Sequence, residues 1–244
     1  MSKLSEIKTD GELKILVYGN AGSGKTCFAA GLPYPMLYLD FDGKVDSAAL
    51  FHKADAERLD QIDVRSLSGS MTESPITEFL KIINTELIPQ QRAKEMKYKT
   101  IVLDSITTFS AHMLKYIVTS NPTVKRVMSQ QGVQPCMQDY GVLKREFTSL
   151  IPGLLSLPCN IIMLGHISTD KDELTGTIER KTSMDGSFAN ELPIYFKEVW
   201  RTYCDDKLGY VAQTKSDYKF TCRSQIPGLP NPLKLEFNEL KKFI

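Results

Sequence analysis

The chain has 244 residues, a formal net charge of +1 and 42% hydrophobic content, enough for one full α/β core and ordinary for a soluble protein. So even a charge balance excludes bulk attraction to nucleic acid or a membrane surface, and any nucleic-acid contact has to come from local basic patches. Five scattered cysteines without paired spacing argue against a disulfide framework or zinc site and for a reducing, cytoplasmic setting. No apolar run reaches membrane-spanning length and no leader-like segment opens the chain, so no membrane partner is expected.

From the N-terminus, the apolar run Lys14–Tyr18 reads as a buried strand. It enters Gly19-Asn20-Ala21-Gly22-Ser23-Gly24-Lys25-Thr26, a G-x-x-x-x-G-K-[ST] phosphate-binding loop, and Cys27-Phe28-Ala29-Ala30 can then open a helix. That order gives the motif its mechanism. The glycines let successive N–H groups turn toward phosphate oxygens, and the helix N-terminus adds partial positive charge. Lys25 is placed to reach the β- and γ-phosphates and the Thr26 hydroxyl to bind Mg²⁺.

A second strand is expected over Met36–Asp40, and its end offers Asp40 and Asp42. On an alternating pleat the two carboxylates point the same way, so that one can orient an attacking water. Ile76, Phe79, Leu80, Ile83 and Leu87 then recur at helical spacing, behind Ser74 as N-cap and Pro75 at the first helical position. A third strand, Thr100–Asp104, closes on aspartate in the form of a Walker B element, where a carboxylate can share Mg²⁺ with Thr26.

The segment Ser120–Asp139 is polar and shows no clean period, whereas Tyr140, Leu143, Phe147, Leu150 and Leu154 form a second core-facing helical stripe. The fourth strand, Asn160–Gly165, is followed by His166, where a polar residue lies near a γ-phosphate. Ser168–Ala189 is again unpatterned. Long structureless stretches in a compact domain are usually functional or disordered. Both follow strand ends, which makes Lys125, Arg126, Arg180 and Lys181 candidates for holding a phosphate backbone.

Strands alternating with helices predict an α/β domain with a mostly parallel sheet. Beyond about residue 195, Glu198–Cys204, Tyr210–Thr214 and Lys219–Arg223 read as successive strands with short polar turns, an antiparallel edge. Pro227, Gly228, Pro230 and Pro232 mark a stiff loop before a charged segment. The expected organisation is a single domain with a core over about 13–224 and a C-terminal extension over 225–244.

The GNAGSGKT loop, the D-F-D strand end, IVLDSIT, Gln138-Asp139-Tyr140-Gly141 before a helix and LGH after it resemble RecA-type ATPases of bacteriophages, in particular the nucleotide-binding proteins grouped with single-strand annealing recombinases. The resemblance runs from about Leu13 to Arg223. It implies a RecA-like core that hydrolyses ATP with Mg²⁺ and binds single-stranded DNA through the two irregular loops. It also implies a homo-oligomer, ring or filament, working in the host cytoplasm alongside a single-strand-binding protein. By the same resemblance Lys25 and Asp104 act in catalysis, Asp42 takes the place of the family's catalytic glutamate, and His166 that of its γ-phosphate sensor. Lys219 and Arg223 resemble basic residues that complete a neighbour's site. Asp42 is one methylene shorter than glutamate, a departure that points to slow hydrolysis.

A GTPase reading fits Asp40-Phe41-Asp42-Gly43 and Thr214-Lys215-Ser216-Asp217 only loosely. The first comes too soon after the phosphate loop to leave room for a switch segment. A small-molecule kinase needs an arginine-rich lid, and none stands out. A nucleotide-gated DNA-binding module with little turnover is the other alternative.

Overall fold

All four apolar runs form strands in the computed structural model, which describes residues 11–69, 74–121, 124–129, 132–171 and 178–244. The first half of the chain alternates strand with helix: β1 (Lys14–Gly19), α1 (Lys25–Ala30), β2 (Met36–Asp40), α2 (Asp46–Phe51), α3 (Ala56–Asp60) and β3 (Ile62–Ser66). Next come α4 (Pro75–Ile82), a π-helical turn (Ile83–Leu87), α5 (Ile88–Ala93), β4 (Thr100–Asp104) and α6 (Ile106–Ser120). A small hairpin, β5 (Met128–Ser129) and β6 (Gly132–Val133), precedes α7 (Met137–Leu155) and β7 (Asn160–Gly165). The remainder is a second hairpin, β8 (Ile167–Lys171) and β9 (Ile178–Thr182), then β10 (Glu198–Asp205), β11 (Gly209–Gln213), β12 (Leu233–Lys234) and α8 (Phe237–Leu240).

The main sheet has eight strands in the order β12-β11-β10-β1-β7-β4-β2-β3. It is parallel from β10 to β3, with β11 and β12 antiparallel at one edge. The inner strands are apolar on both pleat faces because both faces are covered, as a parallel sheet requires. On one face Leu16, Leu39, Leu103 and Met163 meet Phe79, Phe109 and Phe147 from α4, α6 and α7. On the other, Val17, Val102, Ile162 and Trp200 pack against Phe28 of α1 and the C-terminal Leu233 and Leu240. The parallel strands β1, β7, β4 and β2 all end at one rim, and connections on opposite faces leave a crevice there for a ligand.

Two expectations differ from the structure, and one further strand is present. Lys219–Arg223 is not a strand, because the Asp217 carboxylate accepts the Lys219 and Phe220 backbone N–H groups, both at 2.7 Å, and turns the chain. Only isolated bridges form there, and the outer edge is supplied by β12. The two stretches read as irregular carry hairpins, β5–β6 and β8–β9, although residues 122–123, 130–131 and 172–177 lie outside the described residues. The edge strand β3 leaves no clear sequence signal, because Asp63, Arg65 and Ser66 interrupt its apolar pattern.

Candidate functional site

At the end of β1 the chain must bend sharply and pass close to its neighbour. A Cβ on Gly19 would sit 2.3 Å from the Thr202 hydroxyl of β10, and Gly22 and Gly24 adopt φ of 73° and 84°, the left-handed region that glycine enters without strain. Ser23 and Thr202 share a 2.7 Å hydrogen bond that fastens the loop to β10. Lys25, 6% exposed, donates to the carbonyls of Gly19 and Asn20 at 3.0 and 2.9 Å. Burial lowers its pKa, and the nearby Asp104 and Asp42 carboxylates oppose that.

Thr26, in the first turn of α1, donates to Asp104 Oδ2 at 2.8 Å. The same oxygen accepts the Tyr38 hydroxyl at 2.6 Å. Tyr38 lies on β2 beside Asp104's strand and is fully buried, so its hydroxyl has one fixed direction. Burial raises the Asp104 pKa, and the Tyr38 and Thr26 donors oppose the rise. Thr26 and Asp104 together present hard oxygen donors suited to Mg²⁺.

Asp40 and Asp42 do not act from one face of the strand as the alternating pleat predicts. β2 ends at Asp40, whose carboxylate accepts the backbone N–H groups of Gly43, Lys44 and Val45 at 2.8, 3.3 and 3.3 Å and closes the turn into α2. Asp42, beyond the strand, faces different partners. Its Oδ1 accepts Ser105 Oγ at 2.8 Å and Thr108 Oγ1 at 2.5 Å, and its Oδ2 lies 2.8 Å from His166 Nε2. Burial would raise its pKa, but the hydrogen bonds from His166, Thr108 and Ser105 outweigh it and hold the carboxyl well below the usual range. The run Ser105-Ile106-Thr107-Thr108 builds this cluster, since Ser105 also caps α6 and Thr107 accepts the His166 N–H at 3.0 Å.

Lys25, Thr26, Asp42, Asp104 and His166 thus line one cleft of about 450 Å³ together with Ala21 to Gly24. Its outer walls carry residues that no sequence signal marked. Phe51 of α2 and Tyr210 of β11 are 63% and 48% exposed there, and Leu235 joins them from the C-terminal edge. An apolar ring at a cleft mouth is a pattern visible only once α2 and β11 are in place.

The basic candidates do not gather at this cleft. Arg126 is corrected outright: it makes a bidentate pair with Asp139 at 2.9 and 2.6 Å, the two side chains 4% and 2% exposed. Arg223 is also internally committed, its guanidinium donating to the carbonyls of Pro193, Ile194 and Phe196. Lys125 is exposed beside Arg126. Arg180 and Lys181 lie on β9, and Lys219 lines a separate hollow against Asn20.

A glycine-rich loop entering a helix, a carboxylate ending β4 one strand beyond β7, and a polar residue just after β7 define a P-loop NTPase site on an α/β sheet. The AAA domain family matches residues 11–225, and the chain belongs to that family. A KaiC-like protein from the hyperthermophilic archaeon Pyrococcus horikoshii is similar at 13% identity, covering 82% of this chain and 77% of that one with a TM-score of 0.44. No curated protein matches the chain significantly.

Proposed function

We propose that the chain is a Mg²⁺-dependent ATPase that acts on single-stranded DNA in recombination or annealing, as a homo-oligomer. The observation that carries the hydrolytic half is Asp42, kept ionised in the nucleotide cleft with His166 on one oxygen. Lys25 neutralises phosphate charge once its Nζ exchanges the Gly19 and Asn20 carbonyls for phosphate oxygens. Thr26 and Asp104 are the residues that would hold Mg²⁺, which supplies further neutralisation of the developing charge. Asp42 orients the attacking water, and His166, first residue after β7, relays γ-phosphate occupancy into the β8–β9 hairpin. Phe51 and Tyr210 offer ring faces suited to flank a base.

The DNA half is supported by the family resemblance of the motifs, by exposed Lys125, and by Arg180 on the hairpin that follows His166. The test is ATP hydrolysis and single-stranded DNA binding measured together on the wild type and Lys25→Ala. Hydrolysis should fall on the order of 10²–10³-fold in the variant, and unchanged turnover rejects the site. A wild type that binds no single strand at low salt with ATP present rejects the DNA half.

One observation favours a second reading, a nucleotide-gated module with little turnover. Both Asp42 oxygens already carry partners from within the chain, which ties up the group that would position water.

A further inference from the structure

Beneath the phosphate loop lies a second hollow, of about 370 Å³, whose lining includes Asn20, Thr169, Arg180, Arg201, Lys219 and Phe220. It opens on the sheet face opposite α1: Phe220 packs in the cluster of Leu16 and Tyr18, whereas Phe28 and Ala29 of α1 belong to the other face. Phe220 is 9% exposed and organises the hollow. The Arg201 guanidinium lies 3.9 Å from its ring centroid and that of Arg180 5.4 Å. Arg201 also stacks at 4.6 Å on Tyr203. Stacked guanidiniums keep their N–H forks fixed, which favours planar, bidentate recognition of phosphate.

The charge there is unbalanced. No described residue lining the hollow is acidic, and among the described residues none of Arg180, Arg201 and Lys219 is ion-paired. The nearby Asp217 carboxylate, which accepts the Lys219 and Phe220 backbone N–H groups, also attracts Arg201 and offsets one of the three positive charges, leaving a net excess of cations. Arg201 Nε is buried and makes no hydrogen bond. Three cations around a polar hollow, one with a buried unsatisfied donor, call for an anion with several acceptor oxygens.

We propose that this hollow is a second phosphate site, separate from the nucleotide cleft and reached from the opposite face of the same loop. Its link to nucleotide is Asn20, whose carbonyl accepts Lys25 Nζ at 2.9 Å while the residue itself lines the hollow. A phosphate seated there bears on the loop that holds Lys25. The shared ligand chemistry is a phosphate group, carried either by a nucleic-acid backbone or by a free polyphosphate. In its nucleic-acid form the site deepens the single-strand reading and rests on it.

The test uses the full chain saturated with a non-hydrolysable Mg–ATP analogue, so that the nucleotide cleft is filled. Wild type, Lys219→Gln and Arg180→Gln/Lys219→Gln are titrated with a labelled oligothymidine over a range of salt, and separately with inorganic pyrophosphate. Two lost phosphate contacts should flatten the log–log salt slope of oligothymidine binding by about 1.4, and one by about 0.7. Affinity should fall about tenfold for the double variant, with the melting temperature held. The exposed single variant guards against a folding defect. Loss of pyrophosphate binding with oligothymidine binding intact keeps the site and assigns it to free phosphate. Unchanged binding of both probes overturns the site but leaves the nucleotide and single-strand readings standing. A wild type that binds neither probe overturns the site and the single-strand reading together.

Discussion

Asp104 carries the hydroxyls of Thr26 and Tyr38 on one oxygen while only 3% exposed. Hydrogen bonds to a buried charged group contribute about 1.5–3 kcal/mol. Tyr38→Phe should therefore weaken Mg²⁺-dependent nucleotide binding by about tenfold and leave binding in chelator unchanged, as read with a fluorescent nucleotide. An equal loss in both conditions would make Tyr38 a packing residue only. The Asp42 substitution separates a different step. Asp42→Asn should keep nucleotide affinity and slow hydrolysis by about 10²-fold, and normal turnover would leave Asp42 as a helix-capping partner of Ser105 and Thr108. The phosphate loop and both carboxylates were legible because each motif is contiguous and follows an apolar strand. Tyr38 was not, since a tyrosine inside an apolar run reads as core until the neighbouring strand places Asp104 66 residues away.

At the scale of elements, the Arg126–Asp139 pair ties the end of α6 to the start of α7. Arg126 also donates to the Asn121 carbonyl at 2.6 Å, and Asp139 accepts the Cys136 N–H at 2.8 Å. The Arg126 guanidinium is the main cause that holds the Asp139 carboxyl well below its usual range, against the opposing effect of burial. A folded-state pKa depressed below the unfolded value of about 3.9 adds stability that is complete above that pH and lost as pH falls. Asp139→Asn should lower the melting temperature near neutrality, and the gap from wild type should close as the pH drops below about 4. A gap that persists in acid would show that the carboxylate charge is not what holds the segment. The sequence presented Arg126 as a free cation in an unpatterned stretch. Only the fold brings Asp139 to it.

At the scale of the whole molecule, residues 225–244 are part of the sheet and its cover. Leu233 and Leu240 are 1% and 0% exposed, and β12 pairs with β11 at Val211 and Ala212. Fully burying one leucine stabilises by roughly 1.5–3 kcal/mol, against a total stability of about 5–15 kcal/mol for a typical protein. A chain ending at Ser224 also uncovers Trp200, and it should lose cooperative thermal unfolding and nucleotide binding together. Retention of a sharp melt by the truncated chain would make this segment dispensable.

The sequence by itself determined the strands that run buried on both faces and the P-loop motif. Both depend on neighbours in the chain: an apolar run long enough to cross the sheet, and glycines and a lysine at fixed offsets. What the tertiary structure decided depends on groups far apart in the chain. His166 meets Asp42 across 124 residues, Ser23 meets Thr202 across 179, and Tyr18 donates to the Thr221 carbonyl across 203. No local pattern encodes such partners, because they are chosen by strand order and register. The same cause removed Arg126 and Arg223 from the free cations and gathered Arg180, Arg201 and Lys219 around Phe220.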